Sequence, residues 1–594
     1  MKYGATPIAS GGVQFRAWAP LVSTMAVRVN DAAALAMERV GEDYEGFASD
    51  ARPGDRYSLV LDGSRERPDP WSRLQPDGVH GRSEIVDHRS FVWTDSKWTG
   101  IPLRDYIFYE LHVGAFTPEG TFDGVASKLA YLKDLGITAI ELMPVAEFPG
   151  ARNWGYDGVD LFAPHSAYGG PLGLRKLVDA AHGAGLAVVL DVVYNHLGPE
   201  GNYLAEFAPF FTNRYRTPWG SAIDFDGPGS DGVRRFFIDN ALYWLTEYHI
   251  DALRMDAIHG IFDFSAGHFL AELSDRFHAE ARRLGRQAFL IAESDLNDVR
   301  VIQPREQGGH ALDAQWHDEF HHSVVAMLTG AKRGFLADFG RLGQIQKAIA
   351  EGFVYDGNYS VYRQRHFGSS SRDEPGERFV AFIQNHDQVA NTAQGKRLSQ
   401  LISPDQYKMA VLVMLCSPCL PLLFMGEEFA DTAPFLYFTS HGDASLAMAV
   451  SEGRRREFAD FAGADEFYDP QSPETFERSK INWALADQPG HRQIGCFYRD
   501  LIALRKKWLC LANCRKDLTH VCVDEDAGWL RLERGDPTGC SAVLLCNFGE
   551  RPVEFPMPRG RSVHRTGVPP EEREGAVAIE PHSAALYLST PDAR

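Results

Sequence analysis

Four short segments of the chain carry carboxylates, histidines and amides in a combination that can break a glycosidic bond. They are residues 191–196 (DVVYNH), 251–256 (DALRMD), 291–293 (IAE) and 384–387 (QNHD). Cleavage of such a bond needs a proton for the leaving oxygen and a negative group beside an oxocarbenium-like centre. Two carboxyl groups in different environments can supply both.

The second and third segments provide the two carboxylates. Arg254 and Asp256 stand two residues apart, so on a strand their side chains share one face and can pair. We expect this pairing to keep Asp256 ionised, as a nucleophile must be. Glu293 follows the apolar run QAFLIA, and we expect it to stay protonated and to act as the general acid. An Arg-x-Asp sequence or a lone His196 is more often structural, but the order and placement of all four segments favour a site.

The elements that carry these segments alternate between strand and helix from about Tyr106 onward. Strands that are apolar throughout, separated by amphipathic helices, are typical of parallel strands covered on both sides. Polar residues come where several strands end, which is where (β/α)8 barrels place their active sites. The pattern therefore predicts an α/β fold with a (β/α)8 TIM barrel. A doubly wound sheet fits the alternation too, but the chain has no glycine-rich phosphate loop after an early strand.

Short β segments flank the barrel on both sides. Runs such as VQFRAWAP and RYSLVLDG predict an immunoglobulin-like N-terminal β-sandwich, similar to a carbohydrate-binding module, over residues 1–95. The barrel is expected over residues 96–510. Runs such as GWLRLERG and SAVLLCNFG predict a C-terminal β domain over residues 511–594.

Composition and charge exclude several classes of partner. The chain has 60 Lys and Arg against 80 Asp and Glu, a net charge of −20, which repels nucleic acids and anionic membranes. The most apolar run, residues 409–425, is broken by prolines and does not predict a membrane span. No secretory signal is recognised, and all eight cysteines lie from Cys416 onward, so a cytoplasmic location is expected. The pair Cys416 and Cys419 is interpreted as buried residues of a core strand.

The four segments match, in order, the four conserved sequence regions of the α-amylase superfamily of glycoside hydrolases, which the chain resembles over the whole barrel. The resemblance implies Asp256 as nucleophile, Glu293 as acid/base and Asp387 as the residue that holds the distorted sugar. It also assigns sugar-binding roles to four further residues, namely Tyr156, His196, Arg254 and His386.

Within this superfamily, AESDLNDVR, DAQWHDEFHHSV and PFLYFTSH resemble the malto-oligosyltrehalose trehalohydrolase family. That family hydrolyses the α-1,4 bond next to the terminal trehalose of maltooligosyl trehalose. The resemblance places six polar residues around the leaving trehalose, namely His259, Asp318, His321, His322, Gln388 and Asn391. The simpler interpretation of WHDEFHH is the start of an amphipathic surface helix. The alternative functions are a glucan branching or debranching enzyme and a non-catalytic glycan-binding protein, although the latter tends to lose catalytic carboxylates.

No metal ion and no organic cofactor are expected. His321 and His322 are adjacent and cannot share a helical face, and no His pair at i, i+4 with a Glu is present. The expected partner is the small glucan substrate. A trehalose-forming synthase is expected as a functional partner, without a stable complex.

Overall fold

Eight parallel strands close into a barrel at the centre of the molecule. The computed structural model describes residues 3–392, 394–458 and 467–590. Each barrel strand pairs with the next along the chain, and the eighth pairs with the first. The strands, in order, are Phe108–Leu111, Ala139–Leu142, Ala187–Val192, Ala252–Met255, Phe289–Ala292, Ala314–Trp316, Phe379–Ala381 and Leu420–Phe424. The predicted α/β barrel fold is confirmed.

Helices between the strands cover the outside of the barrel. The longer ones are Leu129–Leu135, Gly170–Gly183, Ser230–Glu247, Phe269–Leu284, Asp318–Thr329, Leu342–Ala350 and Pro404–Cys416. Two more helices, Ala444–Phe458 and Pro489–Lys507, follow the eighth strand. Side chains of strands fill the barrel interior near its N-terminal face, where bulky Phe108 and Leu422 pack with small Ala139 and Ala252. The interior is therefore a packed core, and open space occurs only towards the other face.

Two antiparallel sheets precede the barrel. One contains Gly4–Pro7, Val13–Trp18, Asp43–Ala48 and Glu38–Val40, and the other contains Leu35–Ala36, Met25–Val29, Arg56–Leu61, Arg65–Arg67 and Ser83–Glu84. Arg65 and Arg67 both pair with Glu206, at 2.8 and 2.9 Å, and so attach the second sheet to the barrel.

Two further antiparallel sheets follow the barrel. They contain Thr519–Asp524, Trp529–Gly535, Ser541–Asn547, Ser583–Ser589 and Arg561–Thr566 in one, and Val553–Pro556, Ala576–Ile579 and Glu571–Arg573 in the other. The exact domain boundaries given above stay predictions.

The local structure around two sequence runs differs from the expectation. Cys416 ends the helix Pro404–Cys416 and Cys419 precedes the strand Leu420–Phe424, so both are buried but neither lies in a strand. The reason is Ser417-Pro418, which ends the helix because proline disfavours the helical conformation before it. Likewise, the apolar run IFYELHVGAF predicts a strand over its whole length, but it is a strand only as far as Leu111 and then forms the helical turn Val113–Phe116.

A buried arginine attaches the helix Pro489–Lys507 to the turn at Ser417-Pro418. Arg505, in Pro489–Lys507, donates to the backbone carbonyls of Leu415, Ser417 and Cys419 at 2.7, 2.8 and 2.7 Å. Arg505→Met would leave three buried acceptors unpaired, and we expect it to lower the free energy of unfolding by roughly 3 kcal/mol. The measurement is urea unfolding. Arg499→Met is the matched control on the same helix, because Arg499 is partly exposed and its pairing with Asp134 is a surface ion pair, and it should cost no more than about 0.5 kcal/mol. Equal effects would contradict this account.

Candidate active site

The polar ends of the barrel strands meet around a cavity of about 510 Å³. Asp256 and Glu293 come directly after the fourth and fifth strands. Asp387 follows the seventh strand, in the first turn of the short helix His386–Ala390. All three carboxylates line the cavity. Because parallel strands of a closed barrel end at one face, residues far apart in sequence come together here.

One arginine holds the carboxylates in place. Arg254 is fully buried; its Nη1 donates to Asp191 at 2.7 Å and to Asp256 at 3.0 Å, and its Nη2 donates to Glu293 at 2.8 Å. Its guanidinium carbon lies 4.1 Å from the centre of the Trp316 ring, in a cation–π arrangement. The two ends of a single guanidinium group therefore keep Asp256 and Glu293 close together.

The electrostatic environment of this pair is the reverse of the sequence expectation. The pKa of Asp256 is raised well above its usual range by burial and by the nearby charge of Glu293. Burial also acts on Glu293, but Arg254 and the backbone N–H of Ala257, which donates at 2.8 Å, outweigh it and lower the pKa of Glu293. The spacing of Arg254 and Asp256 predicts their pairing, but nothing in the sequence indicates that Glu293 reaches the same guanidinium group and a backbone donor.

A protonated histidine lies beside Asp387. His386 Nδ1 bonds Glu110, and its Nε2 bonds the Tyr156 hydroxyl at 2.9 Å, which also donates to Asp191 at 2.7 Å. Burial alone would lower the pKa of His386, but the charges of Glu110 and Asp387 outweigh burial and raise it to about 9. The imidazolium therefore carries its proton at neutral pH.

This histidine predicts an alkaline limit to activity. We expect kcat/KM to fall as pH rises through about 9, because loss of the proton from His386 removes the cation between Glu110 and Asp387. Glu110→Gln removes the negative charge that raises the pKa of His386, so the fall should move to lower pH. The protonated form of His386 also stabilises the folded protein. This stabilisation is fully present below the unfolded-state pKa of about 6.5 and is lost as pH rises through the folded-state pKa of about 9. The measurement is the pH dependence of kcat/KM for the wild type and for Glu110→Gln. If kcat/KM of the variant falls at the same alkaline pH as that of the wild type, His386 is not the group that titrates.

His196 closes another wall of the cavity. Its Nε2 bonds the backbone carbonyl of Tyr156 at 3.0 Å, and its ring stacks on Trp219 at 5.2 Å. Burial lowers the pKa of His196, which favours the neutral imidazole. Asn195, with its amide nitrogen facing Asp256, donates to Oδ2 at 3.2 Å. Asp256 is thus fixed from two sides, by Arg254 and by Asn195.

The structure separates the six residues expected around the leaving trehalose. His259 lines the catalytic cavity, and its Nδ1 accepts from the backbone N–H of Asp295 at 3.3 Å. His321 lines a neighbouring cavity of about 990 Å³ with Gln388 and Asn391, of which Asn391 also borders the catalytic cavity.

Asp318 and His322 line a third, smaller pocket. The helix Asp318–Thr329 explains the separation, because its adjacent residues His321 and His322 point in different directions. Most of this helix is buried, so it is not a surface helix. Asp318 lies near Glu293, since burial and then the charge of Glu293 are the main causes that raise the pKa of Asp318.

Several site residues were not singled out from the sequence. Glu110 supports His386 from the first barrel strand, and Trp219 lines the cavity from the turn between Phe211–Thr217 and Gly220–Ile223. Tyr437 and Arg454 line it from the segment after the eighth strand. An acidic residue within the apolar strand at Glu110 was a usable signal. Trp219 and Tyr437 lie in loops and Arg454 lies in the helix Ala444–Phe458, and the sequence around these three residues carries no such signal.

Among residues 3–392, 394–458 and 467–590, no group of three or more His, Cys, Asp or Glu side chains is arranged to hold a metal ion. The expectation that neither a metal nor an organic cofactor takes part stays a prediction. In the same described part of the chain, no helix combines the length and apolar character needed to span a membrane.

Comparison with known proteins gives strong similarities along most of the chain. A family model described as the catalytic domain of α-amylase matches residues 85–217. The malto-oligosyltrehalose trehalohydrolase of Saccharolobus solfataricus is 46% identical over 545 residues, which cover 92% of this chain and 92% of that protein. The enzyme of the same name from a Rhizobium species is 44% identical, with 93% and 94% covered.

A solved structure and a more distant enzyme complete the comparison. The crystal structure of a candidate alpha amylase from Salmonella typhimurium superposes with a TM-score of 0.91 at 40% identity, and covers 99% of this chain and all of that one. A 1,4-alpha-glucan branching enzyme from Pseudoalteromonas atlantica is 27% identical, with 99% of this chain and 76% of that enzyme covered. The similarity to trehalohydrolases is therefore much greater than the similarity to this branching enzyme.

Proposed function

The chain belongs to the malto-oligosyltrehalose trehalohydrolase family, and on this premise we propose that it hydrolyses the α-1,4-glucosidic bond next to the terminal trehalose of maltooligosyl trehalose. The products are trehalose and a shorter maltooligosaccharide. The observation that carries this proposal is the arrangement of Asp256, Glu293 and Asp387 around one cavity in a chain of this family. The branching alternative rests on a more distant resemblance, at 27% identity.

The proposed mechanism retains the anomeric configuration. Asp256 attacks the anomeric carbon, Glu293 gives its proton to the leaving oxygen, and Glu293 then removes a proton from the water that releases the glycosyl group. Retention needs carboxyl groups about 5–5.5 Å apart, whereas inversion needs a gap of roughly 6.5–9.5 Å. Attachment of Asp256 and Glu293 to one guanidinium group favours the shorter distance.

The first step requires the proton of the pair to lie on Glu293. We propose that the substrate brings this about. Positive charge that develops on the sugar lies against Asp256 and favours its ionised form. To reach the glycosidic oxygen, Glu293 must turn away from Arg254 and the Ala257 N–H, which removes the contacts that lower its pKa. Arg254 then donates hydrogen bonds to Asp256 and Asp191 and no longer to Glu293.

Four residues are proposed to hold the sugar at the cleavage site. Tyr156 offers an aromatic face, and the imidazole rings of His386 and His196 border the same cavity. Asp387 lines the same cavity and is proposed to bind hydroxyls of the ring as it distorts. Arg254 acts on the carboxylates, because it is fully buried.

The trehalose is proposed to leave on the side of Glu293, where His259 and Asp318 lie. His321, Gln388 and Asn391 are proposed to contact the substrate from the neighbouring cavity, and His322 to support Asp318 in the third pocket. A buried polar group that is left unpaired with the wrong sugar gives strong discrimination, while apolar contacts give modest factors.

Asp318 provides a test of this placement. We expect Asp318→Ala to reduce kcat/KM for maltooligosyl trehalose by about 100-fold, and that for slow hydrolysis of plain maltooligosaccharide by no more than about threefold. Loss of a hydrogen bond that only trehalose makes is the physical reason. Asp295→Ala is the control, because Asp295 also lies near Glu293 but pairs with Arg363. Equal losses on the two substrates would remove Asp318 from the trehalose site.

Product analysis tests the function itself. The protein is incubated with maltooligosyl trehalose and, in parallel, with maltoheptaose, and the products are separated by chromatography. The proposal expects rapid release of trehalose from the first and slow cleavage of the second. New α-1,6 branches, or preferential cleavage of branched glucan, would favour the alternative.

A trehalose-forming synthase is proposed as the functional partner. Maltooligosyl trehalose arises when the reducing-end α-1,4 bond of a maltooligosaccharide becomes an α,α-1,1 bond, and an enzyme of that kind must supply the substrate. A stable complex between the two is not proposed. We also propose a cytoplasmic location, which rests on the sequence and on eight cysteines that are all free thiols.

A further inference from the structure

Two buried cysteines, Cys510 and Cys540, meet where the barrel joins the C-terminal sheets. Cys510 lies in the helical turn Leu509–Ala512, and Cys540 directly precedes the strand Ser541–Asn547. Both are free thiols, and their Sγ atoms are 2.8 Å apart. A disulfide has an S–S length of about 2.05 Å, so bond formation requires a movement of only ~0.8 Å.

We propose that Cys510 and Cys540 form an intramolecular disulfide when a low-molecular-weight disulfide such as glutathione disulfide is present. The Cys540 thiolate attacks one sulfur of the oxidant, releases one glutathione thiolate and forms a mixed disulfide. The Cys510 thiolate then attacks Sγ of Cys540 and releases the second glutathione. Two protein thiols lose two protons and two electrons, and one glutathione disulfide is reduced to two glutathione molecules.

The surroundings of the pair determine which thiol reacts first and how fast. Cys510 is fully buried, whereas Cys540 keeps 8% of its surface exposed and is the more accessible to the oxidant. Burial raises the pKa of Cys510, and the neighbouring Cys540 and Asp536 raise it further. Since the thiolate is the nucleophile, we expect slow oxidation at neutral pH and faster oxidation as pH rises.

The position of the pair indicates what the disulfide would do. In a (β/α)8 barrel each helix runs back to the N-terminal face, so the turn after Pro489–Lys507 lies opposite the face that carries the catalytic carboxylates. A bond across 30 residues closes a loop that includes two strands of the C-terminal sheet. It would restrict the unfolded chain and attach that sheet to the barrel. Turnover should not change, because no residue of the cavity moves.

The test uses the full chain with its two exposed cysteines replaced, Cys496→Ser/Cys522→Ser, which leaves six of the eight thiols. The protein is incubated with glutathione disulfide at mildly alkaline pH and then unfolded in urea, and its thiols are titrated. We expect four thiols after oxidation, and peptide mapping should find Cys510 linked to Cys540. The melting temperature should rise by a few degrees, and reduction should reverse it.

A further variant distinguishes the proposed bond from incidental oxidation. With Cys510→Ser added, the reaction should stop at the mixed disulfide on Cys540, which mass spectrometry detects as bound glutathione. The proposal is overturned if the parent variant keeps all six thiols, or if mapping places the new bond in another pair. The thiol count does not depend on trehalose release, so the outcome is independent of the proposed function.

Discussion

Replacement of Asp256 with alanine is expected to reduce turnover of maltooligosyl trehalose by about 10⁴-fold or more. No covalent intermediate can form without this carboxylate, and no other group occupies its place between Arg254 and Asn195. A substrate with a better leaving group should not restore activity, because the missing step is attack on the anomeric carbon. The measurement is the initial rate of trehalose release at equal concentrations of the wild type and the variant.

Two controls accompany this variant. Asp231→Ala removes an exposed carboxylate from the helix Ser230–Glu247 and should keep turnover within about twofold. Urea unfolding of Asp256→Ala should show that the fold is retained. Turnover within about tenfold of the wild type would exclude Asp256 as the nucleophile.

Glu293→Gln is expected to lose about 10²–10⁴-fold on maltooligosyl trehalose and to recover much of that loss on a maltooligosyl fluoride. Glutamine keeps the shape of the side chain but has no acidic proton for the glycosidic oxygen. Fluoride leaves with little protonation, so the acid is needed much less. The measurement compares kcat/KM, which reports the first step, for the two substrates in the wild type and in the variant.

The two variants should differ on the fluoride substrate, and this difference distinguishes the nucleophile from the general acid. Asp256→Ala should stay inactive on the fluoride, and the double variant should lose little more than the worse single variant, because both groups act on one transition state. If the fluoride does not rescue Glu293→Gln, the general-acid role is wrong. Near-normal turnover of Glu293→Gln on maltooligosyl trehalose would lead to the same conclusion.

The sequence determined the barrel and the strand-end position of its polar residues. Apolar runs of four to six residues that alternate with amphipathic helices allow few folds, and chain connectivity then brings the ends of parallel strands to one face. Asp256, Glu293 and Asp387 could therefore be placed in one cavity without coordinates. The residues around Asp256 and Glu293 predicted their roles, and the α-amylase resemblance implied the same two roles and added that of Asp387.

Only the tertiary structure decided how these groups influence each other. Protonation depends on distances between residues of different strands, and Arg254 proved to bind Glu293 as well as Asp256. The helix Asp318–Thr329 directs His321 and His322 into separate cavities. The sequence resemblance had grouped both residues around one sugar and did not indicate this separation. Cys510 and Cys540 meet for the same reason: sequence periodicity specifies the direction of a side chain along its own element, whereas contacts between distant elements depend on how those elements pack.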